Sequence, residues 1–159
     1  MSPRKAVFLD RDGTLIVEKN YLSNPEGVEL MPTVIPALHK LQAAGYLLII
    51  ITNQSGIGRG YFTEADFYNV QQKLFDLLKQ DGIRIDATYF CPHMPDDDCN
   101  CRKPKPGMLV QAISEHTIDP KHSYMIGDKP IDAEAGNNAG VTGILLETNL
   151  LDAVTKLLK

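Results

Sequence analysis

The sequence predicts an α/β protein, a Rossmann-like parallel sheet with helices on both faces. Three observations carry that expectation. Strand-like and helix-like segments alternate along the 159 residues, as parallel sheets with right-handed crossovers require. The strand candidates are continuous apolar runs rather than alternating ones, which fits strands covered on both faces. Four of those runs end at once in polar clusters: Asp10/Asp12, Thr52/Asn53, Cys91/His93 and Gly127-Asp128-Lys129. Parallel strands deliver all four clusters to one edge of the sheet, where ligands bind in such folds.

In chain order, residues 5–9 form the first strand, and Asp10, Asp12 and Gly13 stop it. Residues 18–29 are polar, contain Pro25 and Gly27, and read as loop. Val34, Leu38 and Leu41 recur at helical spacing, predicting a helix over 33–44 that Gly45 stops. Residues 46–51 are the second strand, followed by a turn at Thr52-Asn53-Gln54-Ser55-Gly56. Thr63-Glu64-Ala65-Asp66 opens a helix to about residue 80, with Phe67, Val70, Leu74, Leu77 and Leu78 facing inward. A third strand covers 85–90, a Cys/Pro/Asp-rich loop 91–106 and a helix 107–116. Strands over 123–126 and 141–146 bracket a short helix at 130–138, and a last helix spans 150–158. No repeat, low-complexity segment or linker interrupts the pattern, so one domain is expected over residues 1–159.

Composition excludes several functions. A net charge of −4 and a pI of 5.5 argue against nucleic acid as the main partner, because binding phosphate backbones wants a basic face. No apolar run approaches the roughly 18 residues a membrane helix needs. Residues 1–5 lead straight into the first strand without a signal-peptide core, which predicts a cytoplasmic protein. In that reducing setting three cysteines within residues 91–101 suit a metal site better than disulfides.

The chemistry centres on Phe8-Leu9-Asp10-Arg11-Asp12-Gly13-Thr14-Leu15. A bare Asp-x-Asp is most often an acidic turn. Here it follows a buried strand, and carboxylates so close want a hard divalent cation, Mg²⁺ being the usual one beside phosphate. Thr52 offers a hydroxyl and a turn of backbone N–H groups for phosphate oxygens, although a lone Thr there is as often a strand cap. Asp128 adds a third carboxylate, with Asp132 in support one helical turn on. A metal held by Asp10, a main-chain carbonyl near Asp12, and Asp128 accounts for all three together. Arg102-Lys103-Pro104-Lys105-Pro106-Gly107 sets cations in a stretch that proline keeps irregular, as a phosphoryl-transfer site needs. Cys91, His93, Cys99 and Cys101 have the paired spacing of a closed, tetrahedral and therefore structural zinc site. His39, His116 and His122 lack a partner pattern and read as surface residues. Ser55 has no His/Asp arrangement that would make it a nucleophile.

Taken together, these motifs resemble the haloacid dehalogenase superfamily, and within it the heptose bisphosphate phosphatases. The resemblance covers nearly the whole chain: Phe8 to Leu15, Thr52 to Gly60 with Phe62-Thr63-Glu64, the cysteine loop into Arg102-Lys103-Pro104, Pro106-Gly107-Met108 and Gly127-Asp128-Lys129. It implies that Asp10 attacks phosphorus and Asp12 serves as general acid/base. It places Mg²⁺ on Asp10, Asp12 and Asp128, and Zn²⁺ on Cys91, His93, Cys99 and Cys101. Thr52 and Lys103 would steady the phosphoryl group. Glu18, Lys19, Asn20, Tyr21, Asn53, Gln54, Ser55, Arg59, Arg102 and Lys129 would contact a small phosphorylated sugar. A monomer without a large cap domain is expected, cleaving the 7-phosphate. The five residues between His93 and Cys99 also resemble the shorter loop of histidinol-phosphate phosphatases, which keeps that substrate as the alternative. A non-catalytic zinc-stabilised binding module is the reading from another class. It would be free to lose Asp10 or Asp12, and the chain has both.

Overall fold

A computed structural model describes residues 2–159. The parallel sheet has the order β3-β2-β1-β4-β5. Its strands are β1 (Ala6–Leu9), β2 (Leu47–Asn53), β3 (Ala87–Cys91), β4 (Tyr124–Gly127) and β5 (Thr142–Leu145). The helices are α1 (Val34–Ala43), α2 (Ser55–Gly58), α3 (Glu64–Lys79), α4 (Gly107–Glu115), α5 (Pro130–Asn138) and α6 (Leu150–Leu157).

The central strands read as unbroken apolar runs because successive side chains enter two different cores. Val7, Leu9, Leu48, Ile50 and Ile126 pack under α1, α3 and α6 with Leu38, Leu41, Leu74, Leu78 and Val154. Phe8, Ile49, Ile51 and Met125 pack on the opposite face with Met108, Leu109 and Ala112 of α4 and Ala135 of α5. Burial is uneven across the sheet. β1 is buried throughout, whereas four of the five residues of the edge strand β3 are only half-buried.

The expected elements all form, with shifted boundaries. β2 runs past residue 51, because Thr52 and Asn53 still pair with Phe90 and Cys91. The polar cluster after β2 is not a plain turn but the short helix α2. Phe62 folds back onto Gly56, where any Cβ would overlap its ring. Within the 18–29 loop, Pro25–Gly27 makes one 3-10 turn, capped by the Asn24 side chain. It is the only regular element between β1 and α1, so loops, not an inserted domain, wall the sheet edge. Helix α3 begins in a reciprocal cap. Asp66 N–H donates to Thr63 Oγ1 at 3.1 Å, and Thr63 N–H donates to Asp66 Oδ2 at 2.9 Å. Leu77 is half-buried rather than buried.

Replacing Thr63 by Ala removes one arm of that cap and is expected to cost about 1 kcal/mol. Thermal denaturation should show a fall in Tm of about 2–4 °C for a chain this size, with kcat unchanged. An unaltered Tm would show that the cap adds nothing.

Candidate active site

β1 ends at Leu9, and the next residue keeps its pairing with β4: Asp10 N–H donates to Ile126 O at 3.1 Å. The chain then folds back, with the N–H groups of Leu15 and Ile16 donating to Arg11 O at 2.9 and 3.1 Å. Gly13 sits at φ +92°, and a Cβ there would overlap the Asp128 carboxylate. That close approach is why the motif needs glycine. It brings β1 and β4 together so that carboxylate oxygens of Asp10, Asp128 and Asp132 lie within 4.8 Å of one another.

Lys103 enters this cluster from the other side of the sheet edge. Its ammonium donates to Asp132 Oδ1 at 2.7 Å, Asp10 Oδ1 at 2.9 Å and Ile51 O at 3.0 Å. All three N–H groups are thereby used, in a residue only 3% exposed. Asn53 sets its position, accepting from Lys103 N–H at 3.0 Å and donating to Lys103 O at 3.3 Å. Burial pushes the Asp10 carboxyl up to about 7, a rise that Lys103 opposes and Asp132 reinforces. For Lys103, burial alone would pull the ammonium down, but Asp10 and Asp132 outweigh it and the net shift is upward. Three carboxyl groups surround one ammonium in a largely buried pocket. A divalent cation fits that balance and the all-oxygen donor set. Asp132 has little left to offer it, since Oδ1 takes Lys103 and Oδ2 takes Lys129 N–H at 3.0 Å.

The Asp12 carboxylate stands apart from that cluster. Arg11 grips it as a fork, Nε to Oδ2 at 3.0 Å and Nη2 to Oδ1 at 3.3 Å. Gln54 Nε2 donates to the same Oδ2 at 3.0 Å and to Thr52 Oγ1 at 2.8 Å. Arg11 is itself 1% exposed. Its Nη1 donates to Gln71 Oε1 at 3.2 Å, Gln71 donates on to Thr88, and the guanidinium lies 5.1 Å from the Phe67 ring. Sequence reasoning missed Arg11 and Gln71. Gln71 carried a signal, being a polar residue on the otherwise apolar inward stripe of α3. Arg11, between two acids, carried no such signal.

The loops around these groups enclose a cavity of about 400 Å³. Asp10, Asp12, Thr52 and Lys103 form its floor, and Glu18, Asn20, Tyr21, Asn53, Gln54, Ser55, Arg59, Arg102 and Lys129 line it as well. Lys19 does not line it; its ammonium reaches Glu29 at 3.2 Å. Leu22, Gly56 and Ile131 are lining residues that the sequence did not single out, and Asp132, expected in support of Asp128, lines the cavity as well. Arg59, Arg102, Lys129 and Glu18 are thus charged lining residues, while Asp96, Asp97 and Asp98 lie exposed elsewhere on the 91–106 loop.

In that loop the ligand atoms of Cys91, His93, Cys99 and Cys101 lie within 4.8 Å of one another. The Cys91 and Cys101 sulfurs approach each other as a disulfide pair would, which the expectation of free metal-binding thiols did not include. Cys99 Sγ lies 3.8 Å from Cys91 Sγ. The cluster is built into the site: Gly107 N–H donates to Asn100 O at 3.1 Å, and a Cβ on Gly107 would overlap that carbonyl. Arg102 and Lys103 follow directly. Of the remaining histidines, His39 and His122 are exposed, and half-buried His116 lies 3.1 Å from the Tyr89 hydroxyl.

Residues 100–156 match the model of the HAD-hydrolase-like family. The chain is 45% identical over 149 residues to a D-glycero-beta-D-manno-heptose-1,7-bisphosphate 7-phosphatase of Pasteurella multocida, covering 90% of this chain and 81% of that one. A protein of the same name from Helicobacter pylori is 46% identical over 147 residues, covering 92% and 85%. Among solved structures, a D,D-heptose 1,7-bisphosphate phosphatase from B. bronchiseptica, complexed with magnesium and phosphate, superposes with a TM-score of 0.85. It shares 32% identity, over 96% of this chain and 86% of that one.

The raised Asp10 carboxyl gives a pH signature. Below about 7 it holds a proton that a bound cation must displace, and above that it does not. Magnesium affinity of the metal-free protein should therefore rise about tenfold per pH unit up to about pH 7 and level off beyond. Calorimetric titration across that range checks it; a flat profile would mean that Asp10 does not ligate the metal.

Proposed function

The chain belongs to the haloacid-dehalogenase-like heptose bisphosphate phosphatases, and from that membership we propose that it hydrolyses the 7-phosphate of D-glycero-D-manno-heptose 1,7-bisphosphate to give heptose 1-phosphate. The observation that carries the reading is the Asp10–Lys103 pair, 2.9 Å apart on the cavity floor. It supplies a nucleophile and a fixed cation at one point. Asp10 attacks phosphorus, and the bond to the C7 oxygen breaks. That oxygen leaves with the electron pair and takes a proton from Asp12. A water then attacks the aspartyl-phosphate, giving its proton to Asp12, and Asp10 is freed. The grip of Arg11 and Gln54 on Asp12 supports this role, because proton transfer depends on a carboxyl held in one direction. The Thr52 hydroxyl proton, whose nearest acceptor is Asn53 O at 3.5 Å, is available to a phosphoryl oxygen.

The residues fit magnesium, held by Asp10, Asp128 and the Asp12 main chain. When bound, it neutralises phosphoryl charge and orients the phosphate. Lys103 orients Asp10, and releasing one of its three hydrogen bonds would let it donate to a non-bridging oxygen. We assign zinc to Cys91, His93, Cys99 and Cys101. A disulfide uses two of these side chains, whereas a tetrahedral ion explains why all four converge. Thiolates held for zinc fit a reducing compartment, in keeping with the cytoplasm. Residues of one chain complete the cavity, so we take the protein to act as a monomer of one domain. The substrate contacts come from the lining residues, with Lys19 outside them.

The rim favours the bisphosphate over histidinol phosphate. Arg59, Arg102 and Lys129 suit a second phosphate, and beyond Asp10, Asp12 and Asp132 the lining holds one acid, Glu18. Purified protein should turn over the heptose bisphosphate faster than histidinol phosphate; the reverse order would reassign the substrate.

Asp10→Asn should abolish turnover. Ionising Asp10 in the folded protein is disfavoured, since its carboxyl sits at about 7 rather than 3.8. In the metal-free protein that group's contribution to stability is therefore lost as pH rises from about 4 to about 7. Asparagine escapes the loss, so metal-free Asp10→Asn should melt no lower than wild type above pH 7. Residual activity near wild type would end the covalent mechanism.

Elemental analysis should find about one zinc per chain, and the denatured, unreduced protein should titrate with three thiols, matching its three cysteines. A single thiol without zinc would establish the disulfide instead.

A further inference from the structure

Residues 18–21 reach into the cavity from a strained loop. Asn20 and Tyr21 have φ of +53° and +66°, a left-handed pair that asparagine tolerates and tyrosine does not favour. The polar ties of this stretch stay local. Asn20 N–H donates to Glu18 Oε1 at 2.7 Å, and Lys19 pairs with Glu29 at 3.2 Å. Leu22, buried to 9% exposure, anchors the stretch just beyond it. None of these holds Tyr21 against the opposite wall of the cavity.

The tie to the loop after α2 is aromatic. The rings of Tyr21 and Tyr61 meet edge to face, with centroids 4.8 Å apart and planes at 76°, the favoured arrangement for such a pair. Tyr61 stands on a firm base. Its N–H donates to Gly56 O at 2.8 Å, and its neighbour Phe62 plugs the space over Gly56. It is nevertheless 60% exposed, too open to be a core residue. Its own loop also carries the lining residue Arg59.

We infer that Tyr61 is a positioning residue for substrate specificity: it pins Tyr21, and so the Glu18–Tyr21 wall, across the cavity from Arg59. The inference rests on the proposed bisphosphate reaction for its kinetic effect, but not for the tether itself. Tyr21 lines the cavity while Tyr61 does not, and neither ring has a polar contact with Asp10 or Lys103. The pair therefore governs how a substrate long enough to reach both loops is held, not how phosphorus is attacked. A short aryl phosphate reaches neither loop.

Tyr61→Ala and Tyr61→Phe, made in the full-length protein, test this with two independent readouts. With heptose 1,7-bisphosphate, Tyr61→Ala should raise KM about three- to tenfold, the range such an aromatic pair is worth. Its kcat, and its kinetics on p-nitrophenyl phosphate, should stay at wild-type values. Without substrate, trypsin should cut after Lys19 faster in Tyr61→Ala. Tyr61→Phe keeps the ring and should restore both. An unchanged rate of Lys19 cleavage in Tyr61→Ala overturns the tether. Equal KM changes on both substrates, or a lower kcat together with a lower Tm, reduce Tyr61 to a structural residue and overturn its role in specificity. If wild-type protein fails to turn over the bisphosphate while Tyr61→Ala still speeds cleavage, the proposed reaction falls and the tether stands.

Discussion

Everything at the sheet edge depends on a buried ammonium among carboxylates. Lys103 contacts Asp10 after β1, Ile51 of β2 and Asp132 in the first turn of α5. One side chain thus joins three separate parts of the chain. Such a cluster is costly to desolvate, and breaking it by removing the lysine would leave buried carboxylates uncompensated. The cost is sustained because the lysine cannot be displaced by small shifts: Asn53 clasps its main chain on both sides. Orientation of Asp10, the proposed nucleophile, is therefore a property of the folded core rather than of a mobile loop.

Arg11 does for Asp12 what Lys103 does for Asp10, by different means. Lysine is a compact charge that satisfies three acceptors in three directions. Arginine is a planar fork that fixes one carboxylate in one plane. The two acids consequently occupy unlike surroundings although only one residue separates them. One faces an acidic cluster suited to a metal, and the other a guanidinium and an amide. The proposed nucleophile and proton carrier need such a division, and the chain's fold back onto Arg11 O after β1 accompanies it.

Much of this was legible in the sequence, for a physical reason. Unbroken apolar runs ending in polar clusters report a parallel sheet and its functional edge together, so Asp10, Thr52, Cys91 and Asp128 could be placed side by side before any coordinates. What remained hidden depends on side-chain direction. Nothing in the spacing of Asp10 and Asp12 says that one carboxylate joins Asp128 and the other turns to Arg11. Lys19 and Tyr21 are two residues apart in one loop, yet one pairs outward with Glu29 and the other meets Tyr61. The extension of β2 to Asn53 was likewise invisible, since short polar residues read as a turn until β3 is found to pair with them.

The cysteine cluster and the buried lysine are two residues apart in the chain, at Cys101 and Lys103. A reagent that attacks the sulfurs therefore tugs on the backbone that carries the ammonium into the acid cluster. Oxidants and thiol-alkylating compounds would silence a reaction whose proposed nucleophile is a carboxylate. Inhibition by such agents would report the integrity of a distant buckle rather than the identity of the nucleophile, and a screen run without reductant would select for it.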